Sequence, residues 1–221
     1  MLSDPHLGAA RELPLDRYAR VLLFGGTFDP PTRAHLELPE HARRALGFDV
    51  VLYVPAKVSP FKTEQAPPAP PEHRVGMLRA GLQQRETALI LLDEVEAASD
   101  RPSYTIDTVR EVRRHMRDAA ELRLLLGADQ PAKFHQWKAS DELIALAEPV
   151  VMLRPPETAE SVLAGVPASE REAWAARFVE TPQRPISATE ARSRLASGEP
   201  LDDLVPDPVR AYIDEHGLYR S

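Results

Sequence analysis

Gly25 and Gly26 close an aliphatic run, and His35 stands where a helix should begin, in the stretch VLLFGGTFDPPTRAHLE (21–37). Glycines placed directly after a strand let backbone N–H groups approach the oxygens of an anion, and a helix N-terminus adds a favourable dipole. A histidine on that first turn adds a side-chain donor. Each piece also has a plainer reading: a tight turn for the glycines, and capping or packing for His35. In ISATEAR (186–192), Ser187 and Glu190 have the spacing of a capping box, so Ser187 should start a helix. Ala188 and Thr189 would then present N–H groups and a hydroxyl. Arg192, one turn on, carries a guanidinium that can fork onto phosphate oxygens, although an ordinary well-capped helix would look the same. Asp129 follows Gly127 at the end of another aliphatic run, where a carboxylate can accept from two ribose hydroxyls or cap the next helix. Trp137 offers either a flat face for an aromatic ring or a core side chain.

Composition narrows the classes of function. The 221 residues carry 27 basic and 34 acidic side chains, a net charge of −7, which disfavours a general nucleic-acid binder while leaving room for a local phosphate pocket. Hydrophobic residues at 43% fit a globular protein with a sizeable core. There is no cysteine, which excludes disulfides, thiolate metal sites and cysteine nucleophiles. The apolar runs are strand-sized, too short for a membrane span, and MLSDPHLGAARELPLDRYAR (1–20) lacks the apolar segment of a secretory signal. A cytoplasmic protein is the default expectation.

These residues need elements that bring them to one edge. RVLLF (20–24), DVVLYVP (49–55), TALILLDEVE (87–96), LRLLLGAD (122–129) and EPVVMLRP (148–155) read as buried strands. HLELPEHARRAL (35–46) with Gly47 after it, PEHRVGMLRAGL (71–82), and SYTIDTVREVRRHM (103–116) with Ser103 as cap read as helices. The alternation predicts an α/β fold, a doubly wound parallel sheet covered on both faces. Ligands in such sheets bind beyond the carboxyl ends of the strands, where Gly25, His35 and Asp129 fall. The proline-rich loop 55–73 is long enough to expect function or mobility of it. After residue 155 the pattern turns to a C-terminal helical portion: SEREAWAARFVE (169–180), the ISATEAR helix, and a last helix opened by prolines in LVPDPVRAYI. Residues 1–19 read as an N-terminal extension, flexible or loosely docked, and 20–221 as the domain.

GGTFDPPTRAH (25–35) resembles the Gly-Gly-Thr-Phe-Asp-Pro…(His/Thr)-x-Gly-His signature of the nucleotidyltransferase superfamily. VPAKVSPFK (54–62), RPSYTIDTV (101–109), LLLGADQPAKFHQWK (124–138), ISATEAR and LVPDPVRAYIDEHGLYR (204–220) are similar to segments of bacterial nicotinate-nucleotide adenylyltransferases. The resemblance implies a Rossmann-like nucleotidyltransferase fold and transfer of the adenylyl group of ATP to nicotinic acid mononucleotide. It implies that ATP meets Gly25, Gly26, Thr27, Phe28 and His35 in the first motif. Gly127 and Asp129 would follow in the second, and Ser187, Ala188, Thr189 and Arg192 in the third. His35, Thr32 and Arg192 would be the catalytic side chains. The mononucleotide would lie against Ser103, Tyr104 and Thr105 with its pyridine ring on Trp137, and Lys62 would contact phosphate unless it is simply a solvated lysine.

The implied reaction needs no protein base, because the attacking 5′-phosphate is already ionised near neutral pH. Catalysis would be positioning and charge neutralisation, with Mg²⁺ held mainly through the ATP phosphates and no dedicated protein ligands. One departure stands out: Thr32-Arg33-Ala34-His35 occupies the place of His-x-Gly-His. Threonine can still donate to phosphate, Ala34 adds a methyl where the nucleotide comes close, and Arg33 could replace a lost donor. Two alternatives stay open. One is an enzyme of the same superfamily with nicotinamide mononucleotide or phosphopantetheine as acceptor; the other is a non-catalytic nucleotide-binding module. The partners expected are the two nucleotides, without nucleic acid or membrane; a homo-oligomer is compatible with the sequence but not specified by it.

Overall fold

The computed structural model describes residues 4, 6–57, 69–96, 104–153, 156–183, 186–201 and 203–219. Their strands are β1 (Leu7–Gly8), β2 (Arg20–Gly26), β3 (Val50–Pro55), β4 (Ala88–Leu91), β5 (Glu121–Gly127), β6 (Glu148–Leu153) and β7 (Phe178–Glu180). They form one parallel sheet in the order β1-β4-β3-β2-β5-β6-β7. The helices are α1 (Arg33–Leu46), α2 (Pro71–Leu82), α3 (Asp93–Glu96), α4 (Thr105–His115) and α5 (Pro131–Phe134), followed by α6 (Ser140–Leu146), α7 (Ala159–Ala164), α8 (Arg171–Ala175), α9 (Ala188–Ser197) and α10 (Asp207–His216).

The aliphatic runs are continuous because both sheet faces are covered. Successive side chains of a strand point to opposite faces. Val21 and Leu23 therefore join Val50 and Leu52 in one apolar cluster, while Leu22 and Phe24 join Val51 and Tyr53 in the other. The doubly wound α/β expectation is met. A third cluster, including Met77, Ala191, Val209 and Ile213, ties α9 and α10 to α2. Gly76 makes that close approach possible: a Cβ there would lie 2.2 Å from the Tyr212 hydroxyl oxygen.

Four elements differ from the sequence expectation. Residues 1–19, expected as a flexible or loosely docked extension, contribute a strand: Leu7 and Gly8 pair in parallel with Ile90 and Leu91, and Ala10 and Leu15 are fully buried in the core. The described part of that stretch is docked, and a two-residue strand is too short to leave a periodicity. The helix expected over 169–180 ends early. Only Arg171–Ala175 is helical, and Phe178–Glu180 becomes an edge strand paired with β6, with Val179 buried. Strand pairing along an available sheet edge overrides a helical local pattern there. The strand expected over 87–96 stops at Leu91, and the acidic DEVE segment turns into α3. The cap of α4 is the extended Tyr104 rather than Ser103, which lies outside the described residues.

Candidate active site

The strand order reverses between β2 and β5, so their following loops diverge and leave a crevice at the carboxyl edge of the sheet. A cavity of about 520 Å³ opens there, with Gly25, Gly26, His35, Gly127, Asp129 and Trp137 in its wall. Gly25 has open space where a Cβ would stand, so its backbone can be approached closely. A second cavity of about 650 Å³ lies beside α1 and the loop entering β4, lined by Glu37, Glu40 and Arg44 among others. Glu40 is already spent there on Arg43 and Arg44, and none of the described residues lining it is a glycine.

His35 is held by the way α1 begins. Thr32 is extended (φ −91°, ψ 168°) and its hydroxyl accepts the amide of His35 at 3.4 Å. In return the Thr32 amide donates to Nδ1 of the His35 ring at 3.1 Å, and the Thr32 hydroxyl lies 3.0 Å from the same nitrogen. With Nδ1 accepting, the proton of the neutral ring sits on Nε2, which makes that nitrogen a donor. Phe28 packs edge-on against the ring at 5.6 Å between centroids. Phe28 itself is 1% exposed with φ +51°, a left-handed conformation unusual for a bulky residue and of the kind found at functional turns. The first turn of α1 carries no acidic side chain, so the positive end of its dipole faces the crevice uncompensated.

The third motif reaches the same loop from the side. Ser187 caps α9 by accepting the Glu190 amide at 3.1 Å, as its spacing predicts. Arg192 donates to the Asp29 carbonyl at 2.7 Å and to the Thr189 hydroxyl at 3.3 Å. Ile186 lines the cavity, while Ser187, Ala188, Thr189 and Arg192 stand outside its wall. Of the acceptor-side candidates, Thr105 and Trp137 line the cavity. Trp137 also stacks on Phe134 at 5.1 Å, so the core and the ring-binding readings of this side chain are both compatible with its place. Tyr104 is 43% exposed beneath the Lys138 ammonium, and Lys62 and Ser103 fall outside the described residues.

Comparison with known proteins places this arrangement. A sequence model of the cytidylyltransferase-like family matches residues 23–194. The chain is 36% identical over 217 residues to the probable nicotinate-nucleotide adenylyltransferase of Chromobacterium violaceum, an alignment covering 91% of this chain and 99% of that protein. It is 32% identical over 203 residues to the nicotinate-nucleotide adenylyltransferase of Bacillus subtilis strain 168, again over 91% and 99%. The chain belongs to the nicotinate-nucleotide adenylyltransferase family. A solved Plasmodium falciparum nicotinic acid mononucleotide adenylyltransferase, complexed with NaAD, superposes with a TM-score of 0.64 at 19% identity. That match covers 90% of this chain and 97% of the other and speaks to the fold.

Against the motif of the nicotinate-nucleotide adenylyltransferase family, the departures acquire a place. Thr32 is 0% exposed with its hydroxyl on His35, so it acts on the histidine rather than in the cavity. Ala34 is helical and 6% exposed, and its side chain forms part of the cavity wall. Arg33 reaches Glu37 and Asp207, 4.0 and 3.9 Å away. It thus reaches along α1 and toward α10.

Two charged residues of the cavity wall are missing from the sequence expectation. Lys133 lines the wall from α5, and Glu94 lines it from α3 with the Thr108 hydroxyl donating to it at 2.6 Å. Glu94 follows β4 at the carboxyl edge of the sheet, which was the available signal; reading 87–96 as one strand hid it.

Proposed function

We propose that the chain transfers the adenylyl group of ATP to nicotinic acid mononucleotide, giving nicotinic acid adenine dinucleotide and pyrophosphate in the biosynthesis of NAD. The observation that carries the reading is the His35 ring. Its Nδ1 is occupied by the Thr32 amide, its Nε2 is thereby a donor, and it stands in the wall of the cavity that both glycine turns line. A donor fixed in this way stabilises charge as it develops, without reorganising at the moment of reaction.

An oxygen of the acceptor's 5′-phosphate attacks the α-phosphorus. A new P–O bond forms while the bond to the β-phosphate oxygen breaks, and that electron pair leaves with pyrophosphate. His35 and the N-terminus of α1 meet the triphosphate, and Arg192 adds a cation from the side. Asp129 accepts from the ribose hydroxyls, and Trp137 supports the pyridine ring of the acceptor. Lys133 supplies a further cation to the phosphates. Among the described residues no three His, Asp or Glu side chains form a metal cage. The reading takes the metal as a hydrated Mg²⁺ that would bind chiefly to phosphate oxygens. When bound, the ion would neutralise phosphate charge. No helix among the described residues is long and apolar enough to cross a membrane, and the reading is of a cytoplasmic enzyme.

The test supplies purified protein with ATP, Mg²⁺ and one acceptor at a time while pyrophosphate is followed. Nicotinic acid mononucleotide should give a much higher kcat/KM than the amide form, because a site that pairs a carboxylate with donors would be poorly satisfied by a carboxamide. Equal rates with acid and amide, or turnover only with phosphopantetheine, would reassign the acceptor. No turnover with any of them would leave a binding module.

A further inference from the structure

The last turns of the chain come back to the first motif. Asp29, in the loop that follows the glycines, is 6% exposed. Its Oδ1 accepts the Tyr219 hydroxyl at 2.6 Å and the Ala69 amide at 3.1 Å. Its Oδ2 lies 3.8 Å from Nη1 of Arg192, beyond hydrogen-bond range, while that same nitrogen is anchored on the Asp29 carbonyl at 2.7 Å. Tyr219 reaches this position from a left-handed backbone (φ +63°), just after Gly217 (φ +61°) ends α10. A non-glycine residue keeps such a conformation only where its surroundings hold it there. Burial, first, and then the bond to Asp29 hold the phenol above its ordinary pKa, so it stays a donor.

The consequence concerns Arg192. A guanidinium locked in a two-pronged pair with a buried carboxylate would have to break that pair to meet phosphate. Here its short contacts are a backbone carbonyl and a hydroxyl, both neutral, and the Asp29 carboxylate faces its charge only across 3.8 Å, without a hydrogen bond. Tyr219 and Ala69 satisfy the carboxylate instead. We propose that Tyr219 is a positioning residue. By occupying Asp29 it keeps Arg192 poised for the triphosphate, so that the C-terminal turn of the chain governs affinity for ATP. This rests on the reading of Arg192 as a phosphate contact.

Without the phenol, a buried carboxylate loses its shortest donor and takes the nearest replacement, which is Arg192. Tyr219→Phe should therefore raise the KM for ATP about tenfold, the scale of one hydrogen bond to a charged group, and leave the KM for the acceptor unmoved. Calorimetric titration of Mg²⁺-ATP without any acceptor should show the same loss, which reads the proposal whatever the acceptor proves to be. The double variant Tyr219→Phe/Asp29→Asn removes the competing charge and should restore most of the ATP affinity. Three outcomes would overturn the proposal: unchanged ATP affinity in Tyr219→Phe, an equal loss for both substrates with a lowered melting temperature, or no recovery in the double variant.

Discussion

The helices α1 and α9 start in nearly the same way and are used differently. Both follow an extended residue with a hydroxyl, and both caps accept the amide three residues on, Thr32 from His35 and Ser187 from Glu190. At α1 the cap is fully buried at the centre of the sheet, and the residue it receives is the one whose ring it also fixes. At α9 the cap is exposed and Glu190 turns away to Arg194 at 2.6 Å. The useful side chain there is Arg192, which must lean on Asp29, a residue of the other motif. The same local capping chemistry thus builds a rigid donor where the fold surrounds it, and a borrowed one where the fold does not. The difference lies in tertiary placement, not in the cap.

The largest expected effect falls on the rigid donor. His35→Ala should lower kcat by about 10²–10³-fold, the range for losing one preorganised donor at a site of developing charge. Its melting curve should stay close to that of the parent, because the cap hydroxyl and the helix persist. Steady-state rates measured beside thermal melting decide the matter. Parent-like turnover would make the Thr32–His35 pair a structural cap only, and the contrast with α9 would vanish.

How far the sequence foretold this contrast depends on range. The aliphatic runs with their glycine exits disclosed the parallel sheet and its binding edge, because burial on both faces leaves a local signature. Ser187 was readable as a cap for the same reason. Thr32 was not read as a clamp on His35, since its hydroxyl could equally have donated to phosphate until its burial was known. The Asp29–Tyr219 contact joins residues 190 positions apart and leaves no local trace. β1 and β7, two and three residues long, are strands only because a neighbouring edge accepts them.

The caps themselves offer a smaller and more pointed test. Thr32→Ala and Ser187→Ala each remove a hydroxyl that accepts a helix amide, and each should cost about 1 kcal/mol of stability. Only Thr32→Ala should also slow turnover, by about tenfold, because it alone removes a hydroxyl from the histidine ring. Chemical denaturation and kcat measured on the same two proteins check both halves. Equal kinetic effects would mean that the two helix starts contribute alike.

The smallest effect belongs to the far end of α1, where the same helix serves stability alone. Glu40 accepts from Arg43 at 2.8 Å, from Arg44 at 2.7 Å and from the Thr87 hydroxyl at 3.2 Å. The Arg43 bond foremost, opposed by burial and aided by Arg44, holds the Glu40 carboxyl down at about 2. A carboxyl depressed in the folded state binds its proton more readily when unfolded. Its contribution is therefore complete above the ordinary value of 4.5 and is lost as pH falls toward about 2. Glu40→Gln should destabilise by about 1 kcal/mol near neutral pH, as befits a partly exposed ion pair reinforced by hydrogen bonds. That difference should shrink steadily between pH 4.5 and 2, while kcat at neutral pH stays at the parent value. Denaturant titrations across this range measure it. A gap that persisted at the acid end would tie the loss to packing instead of charge. A fall in kcat would show that the two ends of α1 are coupled, and that the rigidity around His35 draws on the whole helix instead of its first turn.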